Sequence, residues 1–568
     1  MPQHPCRTPA VLVLGLALPL AMALAACAPD PDGSGRPRSA QQTGRYFPPG
    51  CNGPIESCVP VTSWVGPGQA GTHQQDRAAF TQRQPAGSET KISPQASVQR
   101  AAEGSAPLVL LLVNQRLAAP LGPRLERYRR DLEAEGFLVE QEWVTVVAGT
   151  TPQGIKDRLL ARATRGLVGA VLVGDFPTAW YRHANDFDGA TVEFPIDLFF
   201  MDLDGAWTEL GPGLYGAHTG NVAPEVFVGR IQAHNLSAEG TESDLLAGYF
   251  DRNHIYRTGG STLPDVALAY QDDDWTAAGF SNTLAEAYGA LTQVLAPAAT
   301  TAADYGARLD HGWGANEGST YVHLMAHSYP HGHWFKTSSP DWFYQSHLVA
   351  NARRTHFFNL FNCSGARHTE ANYFGGLYVF GRGQGLGAVG PTKTGAMLVF
   401  EDYYQPLATR VTFGEAYRSW FQRRAEGGFD DGEKSWYYGM TYLGDPTLRA
   451  KGAHHSAMAL STSVLSHLAD AATGPRRYRV SVRTTTGAPL AFGVTVPPEA
   501  ASWLTAQTDG ASQLELTVDA TALPLGIHSA SVQVTSPTAG LLRPDQTIAV
   551  TVTRVPKVFS VFMPLLQR

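Results

Sequence analysis

The chain has 568 residues, 43% hydrophobic and 16% charged, a balance that excludes a disordered polymer and allows two or three domains with cores of their own. A formal net charge of -7 leaves no basic surplus to neutralise phosphates, which argues against nucleic acid as a partner. The 58 glycines and 38 prolines imply many turns.

The first thirty residues read as an address. After Arg7, the uncharged apolar run AVLVLGLALPLAMALAA ends at Cys27, the layout of a secretory signal peptide over residues 1–26. LAAC, residues 24–27, resembles a bacterial lipobox, which implies lipidation of Cys27 and an extracytoplasmic protein anchored to a membrane or cell surface. The alternatives are an ordinary signal peptide or an uncleaved anchor helix. No other run approaches the roughly 20 apolar residues that span a bilayer. Residues 27–105 carry Gly, Pro, Ser, Gln and Thr without a sustained apolar period, and read as a flexible tether or pro-segment. Within them, Cys51 and Cys58 of CNGPIESC are close enough to close a small disulfide loop in an oxidising compartment. Cys6 leaves with the signal peptide, so Cys363 stands alone: either a buried, inert thiol or one kept for its reactivity.

Order begins at APLVLLLVNQRL (106–117), a continuous apolar run suited to a strand buried on both faces. LGPRLERYRRDLEAEG (121–136) spaces Leu125, Tyr128 and Leu132 at helical intervals and stops at Gly136. FLVEQEWVTV is the next strand. TPQGIKDRLLARATRG is the next helix, with Thr151 as cap and Pro152 at its first position, and LVGAVLVGD (167–175) is another buried strand. This alternation predicts a parallel sheet with covering helices.

The same grammar runs to about residue 450 through EVFVGRI (225–231), DVALAY (265–270), STYVHLMAHS (319–328), THFFNLFNCSG (355–365) and GLGAVGPTKTG (385–395). In an open parallel sheet, ligands bind at the carboxyl ends of the strands. Two of those ends carry reactive side chains, His327 and Cys363. An imidazole beside a thiol holds it as thiolate or takes its proton, which makes the sulfur a useful nucleophile. His331, in PHGH, competes for that role.

Other residues suggest metal or structure. PIDLFFMDLDGAW (195–207) places Asp197, Asp202 and Asp204 near a glycine, a calcium-like set of oxygen ligands without the full twelve-residue loop. Asp175 of LVGD reads as a cap or loop fixer, and GDP at 444–446 as a turn closing the domain. Histidine and cysteine never cluster at zinc spacing. After residue 455, RYRVSVRT, FGVTV, QLELTVDA, HSASVQVTS and QTIAVTVTRV alternate apolar and polar residues, which predicts an all-β sandwich over 456–555 and a tail over 556–568.

YVHLMAHS and FFNLFNC, each a hydrophobic block ending at or next to its reactive residue, resemble the His and Cys blocks of the clan that holds caspases, legumains and gingipains. With AVLVGDFP (170–177), PEVFVGRI (224–231) and YLGDPTL (442–448) in the same order, residues 106–452 resemble a gingipain-type cysteine peptidase. The resemblance implies an α/β, caspase-like, mostly parallel sheet with helices on both faces. It implies a cysteine endopeptidase that cuts proteins or peptides through a thioester acyl-enzyme, with Cys363 as nucleophile and His327 as general base and acid. The backbone N–H groups of Ser328 and Cys363 would form the oxyanion hole, although the family usually has Gly where Ser328 stands.

By the same carry-over, Asp272 of YQDDDW orients the histidine, and Asp274 and Trp334 line a specificity pocket that prefers basic residues before the scissile bond. The acidic run 272–274 also reads as a solvated turn or a calcium loop. The chemistry requires no cofactor, and a structural calcium is the one metal these patterns admit. SWLTAQTDGASQLELTVDATALPLGIHSASVQVTS resembles BACON-type immunoglobulin-like repeats, which implies a spacer or a module for substrate or glycan adhesion. The competing class of function is a non-catalytic caspase-fold surface protein, or an adhesin presenting its β-sandwich.

Overall fold

The structure, a computed structural model, describes residues 54–66, Arg77 and 106–557, apart from 148, 277–282, 289, 313–317, 337–339, 452–457, 463, 485–488, 510–511, 539–540 and 542–543. The signal peptide, Cys27, Cys51 and most of the C-terminal tail lie outside the described residues. Among the described residues, no helix is long and apolar enough to cross a membrane.

The apolar runs become strands with no exposed face. Leu108–Asn114, Ser319–Met325 and Thr355–Phe361 are each buried along their whole length. Such strands need cover on both sides, and amphipathic helices supply it. Ala118–Ala134 turns Leu121, Leu125, Tyr128 and Leu132 inward at the expected helical spacing. Pro152–Ala163 starts as expected, with Pro152 in its first turn and the Thr151 hydroxyl accepting the Gly154 N–H.

These strands form one ten-stranded sheet. Its order is Ala290–Val294, Val266–Gln271, Ser319–Met325, Thr355–Phe361, Gly387–Pro391, Met440–Gly444, Phe227–Ile231, Leu167–Val173, Leu108–Asn114, Leu138–Val144. Every neighbouring pair is parallel except Gly387–Pro391 with Met440–Gly444. Two runs of five parallel strands therefore meet at an antiparallel seam, and their carboxyl ends face opposite edges of the sheet.

The expectation of a mostly parallel sheet holds in that form; the reversal was not legible, because Met440–Gly444 follows a helical stretch that sets no strand direction. One consequence is that Asp175, beyond Leu167–Val173, lies at the other edge from His327 and Cys363. There its main-chain carbonyl accepts the Asn114 side-chain amide at 2.8 Å.

Residues 54–66 depart from the expected tether. They include a helical turn, Ile55–Ser57, and Ile55 and Val59 are buried in the main core. Two apolar side chains, one between Cys51 and Cys58 and one just after Cys58, carry no periodicity, so composition alone could not reveal them. Beyond residue 455 the strands form two four-stranded sheets around a separate core that includes Val480, Leu514, Val532, Ile548 and Val552. Gln513–Val518 alternates as predicted, with Leu514, Leu516 and Val518 buried.

A buried ion pair lies on Phe227–Ile231, the strand next to the seam. Arg230, fully buried, donates from Nε and Nη2 to Asp197 at 2.6–2.9 Å, and Thr441 adds a hydroxyl donor. Burial pushes the Asp197 carboxyl up, but Arg230 pulls it further down, to a net value below the usual range. This corrects the expectation that Asp197 is a calcium ligand: its oxygens are spent on the guanidinium. Asp197→Ala should therefore destabilise the chain by about 3–5 kcal/mol, since it strands a buried charge. Urea unfolding followed by tryptophan fluorescence would measure this, and a loss below about 1 kcal/mol would mean that Arg230 re-pairs locally.

Candidate active site

Strand register brings the site together. In the ladder between Ser319–Met325 and Thr355–Phe361, Met325 pairs with Phe361. His327 and Cys363 are each two residues past that pair, so they emerge side by side at one sheet edge. The Ala326 N–H donates to the Phe361 carbonyl at 3.1 Å, and the Ser328 hydroxyl donates to the Cys363 carbonyl at 3.4 Å, tying the two loops together. On the other side, Gln271 pairs with Met325. The acidic run 272–274 thus leaves the next strand at the same edge.

The imidazole is held at both nitrogens. Nε2 lies 2.7 Å from Asp274 Oδ2, and Nδ1 accepts the Ser63 N–H at 2.9 Å. The Trp275 ring packs against it with centroids 4.8 Å apart. The orienting role assigned to Asp272 therefore falls to Asp274, which was expected in the specificity pocket. Asp272 is fully buried and accepts the Lys336 N–H at 2.8 Å and the Thr300 hydroxyl at 3.1 Å. Burial pushes its carboxyl up to about 7, and it fixes loops. Register explains the exchange: Asp272 continues the strand inward, whereas Asp274 sits in the turn Asp273–Trp275, which carries it out over the histidine. A specificity pocket built on Asp274 loses its acid to His327.

Cys363 is fully buried. Its sulfur lies 3.0 Å from the Thr394 hydroxyl and 3.7 Å from that of Ser364. Ser364 sits at φ 60°, the left-handed region that costs a side-chain-bearing residue energy and that clusters at functional turns. Burial pushes the thiol above its usual value, against the pull of Thr394, Ser364 and the Lys393 ammonium. The intact chain thus holds a neutral, covered thiol rather than the exposed thiolate of the simplest dyad.

Lys393 and Thr394 were missed as site residues, although GLGAVGPTKTG was recognised as a strand end. Lys393 is buried, donating to Asp186 at 2.7 Å and to the Thr394 and Ser435 carbonyls at 2.6 Å. A lysine buried in a strand-end loop was the available signal.

The remaining candidates separate into wall and core. Trp334 pairs with His327 across the small hairpin and stacks on Trp342, 5.6 Å away, which in turn stacks on Tyr344 at 5.2 Å. This aromatic wall stands beside the imidazole. His333 is a core residue bonded to the Tyr378 hydroxyl, its pKa pushed down to about 3 by burial. His331 lies in the hairpin turn against Tyr329 and does not displace His327 from the site.

Among the described residues, Asp202, Asp204 and Glu225 bring carboxylate oxygens within 4.8 Å of one another. Glu225 thus takes the place expected of Asp197. These are oxygen donors of the kind calcium accepts. Lys156 already faces them as a buried counter-charge, so the cluster has a partner within the protein.

No family model matches the chain, and no curated protein does. Among solved structures, an endo-fucoidan hydrolase of glycoside hydrolase family 107 shares 15% identity over 21% of this chain and 17% of its own, with a TM-score of 0.14. Tripeptidyl peptidase 2 shares 13% identity over 18% of this chain and 10% of its own, with a TM-score of 0.15. A SusE-like, surface-located polysaccharide-binding protein of Bacteroides thetaiotaomicron shares 14% identity over 22% and 19%, with a TM-score of 0.12. The chain thus spans less than a fifth of each neighbour's length, and likenesses this partial carry no weight for fold or activity.

The acidic cluster makes stability depend on pH. Burial, then Asp204 and Asp202, push the Glu225 carboxyl up to about 9. A folded-state pKa above the unfolded one means that the folded protein binds the extra proton more tightly. That stability is full below the unfolded value, near 4.5, and is lost as pH rises toward 9. The melting temperature should fall across this window. Glu225→Gln, which cannot ionise, should flatten the fall and melt higher than the parent at pH 9 in scanning fluorimetry; an unchanged slope would remove Glu225 as its source.

Proposed function

We propose that this chain is an exported, lipid-anchored cysteine endopeptidase of the gingipain type, with Cys363 as nucleophile and His327 as its proton carrier. The observation that carries this reading is the register: a thiol and an imidazole leave adjacent parallel strands in step, and a carboxylate from the third strand holds the imidazole's far nitrogen. A packing cysteine needs neither partner.

The geometry supports a definite division of labour. With Nε2 bound to Asp274, Nδ1 is the nitrogen left to serve the reaction once the Ser63 N–H that it accepts is withdrawn. It takes the proton of the Cys363 thiol as sulfur attacks the carbonyl carbon of the scissile bond. The tetrahedral oxyanion collapses, the C–N bond breaks, and the imidazolium returns the proton to the leaving amine, leaving a thioester. Water, deprotonated by the same nitrogen, then attacks the thioester and releases the acid and the thiol. Asp274 stabilises the imidazolium in both halves.

The Ser328 and Cys363 N–H groups are the proposed oxyanion donors, each donor of this kind contributing about 10²–10³ in rate. The serine at 328 is compatible with that role because its hydroxyl is spent on the Cys363 carbonyl. Basic selectivity is not part of the proposal, since Asp274 is engaged by the histidine and Asp272 is buried. The C-terminal sheets are read as an immunoglobulin-like spacer.

The test is mutational, on peptide hydrolysis by the full chain. Cys363→Ala and His327→Ala should each abolish turnover with the fold intact, and His331→Ala should be near normal. Asp274→Asn should lower kcat by about 10²–10⁴-fold, as removal of an orienting carboxylate does. Asp272→Asn should leave the pH profile of kcat unchanged. Loss of activity in the Asp272 variant alone would restore the original assignment and overturn this one.

A further inference from the structure

Residues 54–66 cross the site and hold it with main-chain atoms. Ile55 and Val59 anchor the segment in the core, and Cys58 is disulfide-bonded. The Glu56 and Pro60 carbonyls accept the indole N–H groups of Trp436 at 3.0 Å and Trp275 at 2.9 Å. From there the chain runs beside His327–Tyr329, with Trp64 bridging Ser328 in parallel. Ser328 N–H donates to the Ser63 carbonyl at 3.3 Å, and Val65 N–H to the Ser328 carbonyl at 3.4 Å. Ser63 N–H occupies His327 Nδ1, and the Thr62 hydroxyl meets the Gly395 carbonyl and N–H at 3.5 and 3.4 Å. Trp64 stands edge-on to Tyr329, 6.1 Å between centroids, with the Arg367 guanidinium 5.8 Å from its ring.

These are the contacts of a bound peptide. His327–Tyr329 is an outer strand of the three-stranded sheet it forms with Gly332–Phe335 and Asp341–Tyr344, and an extended peptide can add to such an edge. The atoms taken are those the proposed chemistry needs: the imidazole Nδ1 and the Ser328 N–H. The Cys363 thiol is fully buried.

We propose that the outer edge of His327–Tyr329 is the substrate-binding edge, that it receives an extended peptide with an aromatic side chain against Tyr329 and Arg367, and that residues 62–65 are its intramolecular occupant, which keeps the site shut. The proposal rests on the assignment of Cys363 and His327 as the catalytic pair. Because the occupant is part of the chain, its effective concentration is of the order of mM, so a free peptide competes poorly until the segment is displaced.

The experiment uses the full chain. Ser63→Pro removes the N–H that occupies His327, and Ser63→Pro/Trp64→Ala also removes the aromatic anchor. Iodoacetamide should alkylate Cys363 slowly in the parent and at least tenfold faster in the double variant, with peptide hydrolysis rising in parallel. The synthetic peptide PVTSWVG should restore protection, and the same peptide with Ala for Trp should protect at least tenfold less. Equal alkylation of parent and variants of matching melting temperature overturns the proposal, as does protection that ignores the tryptophan; should the double variant fail to fold, Ser63→Pro alone is read the same way. Accelerated alkylation, reversed by the peptide but without hydrolysis of any peptide, upholds the occupied edge and removes the peptidase assignment instead.

Discussion

Two parallel strands in register, Ser319–Met325 and Thr355–Phe361, are the constraint on which the site depends. A ladder of main-chain hydrogen bonds fixes how far each strand advances relative to the other. Residues the same distance past a paired position therefore emerge as neighbours without any contact of their own. His327 and Cys363 are placed this way, and the pairing of Gln271 with Met325 brings Asp274 to the same edge. A slip of one residue would exchange the side chains packed on the two faces, and since both strands are fully buried, packing on either side opposes that slip. The cost of misregistration is thus borne by the core, and the site inherits its precision from packing.

Charges buried deep in the fold serve the same end. Arg230 with Asp197 stands one strand from the antiparallel seam, beside Met440–Gly444, and Asp445 of the GDP turn joins Arg257, Asn253 and Thr447. Arg353 pairs with Glu239 where both are buried. Such pairs are weak sources of net stability, because desolvation offsets much of the attraction. They do penalise any arrangement that separates them. Arg230 and Arg257 tie a loop or helix to the sheet or its strand ends, and Arg353 ties two loops to each other.

The strands, the strand-end position of the two reactive residues and the alternating C-terminal strands were legible because hydrophobic period and burial are local properties. What escaped depends on three-dimensional return of the chain. Nothing in MTYLG says that it runs against its neighbour. Asp272 and Asp274 differ by two positions in an unbroken acidic run, and only the short turn after the strand decides which reaches the imidazole. Asp197 looked like one of three carboxylates in a row until Arg230, from a strand some thirty residues on, claimed it. Residues 54–66 were hidden most completely. Their hold on the site is made by backbone N–H and carbonyl groups, which every residue carries and no composition betrays.

The environment of Cys363 sets opposing influences on its thiol. Of the influences on its thiol, burial is the largest and favours the neutral form, while Thr394, Ser364 and Lys393 all favour the thiolate. Two hydroxyls lie beside its sulfur, and the Lys393 charge acts on it from a distance. A nucleophile held at rest would be built in this way, because the opposing influences answer to different events. Desolvation weakens when water or substrate enters. The hydroxyls and the Lys393 charge belong to the framework, where Asp186 and two carbonyls pin the lysine, and they persist. On the proposed reading, lifting residues 62–65 would free the imidazole Nδ1, and water or substrate that then reached the sulfur would lower the thiol's pKa.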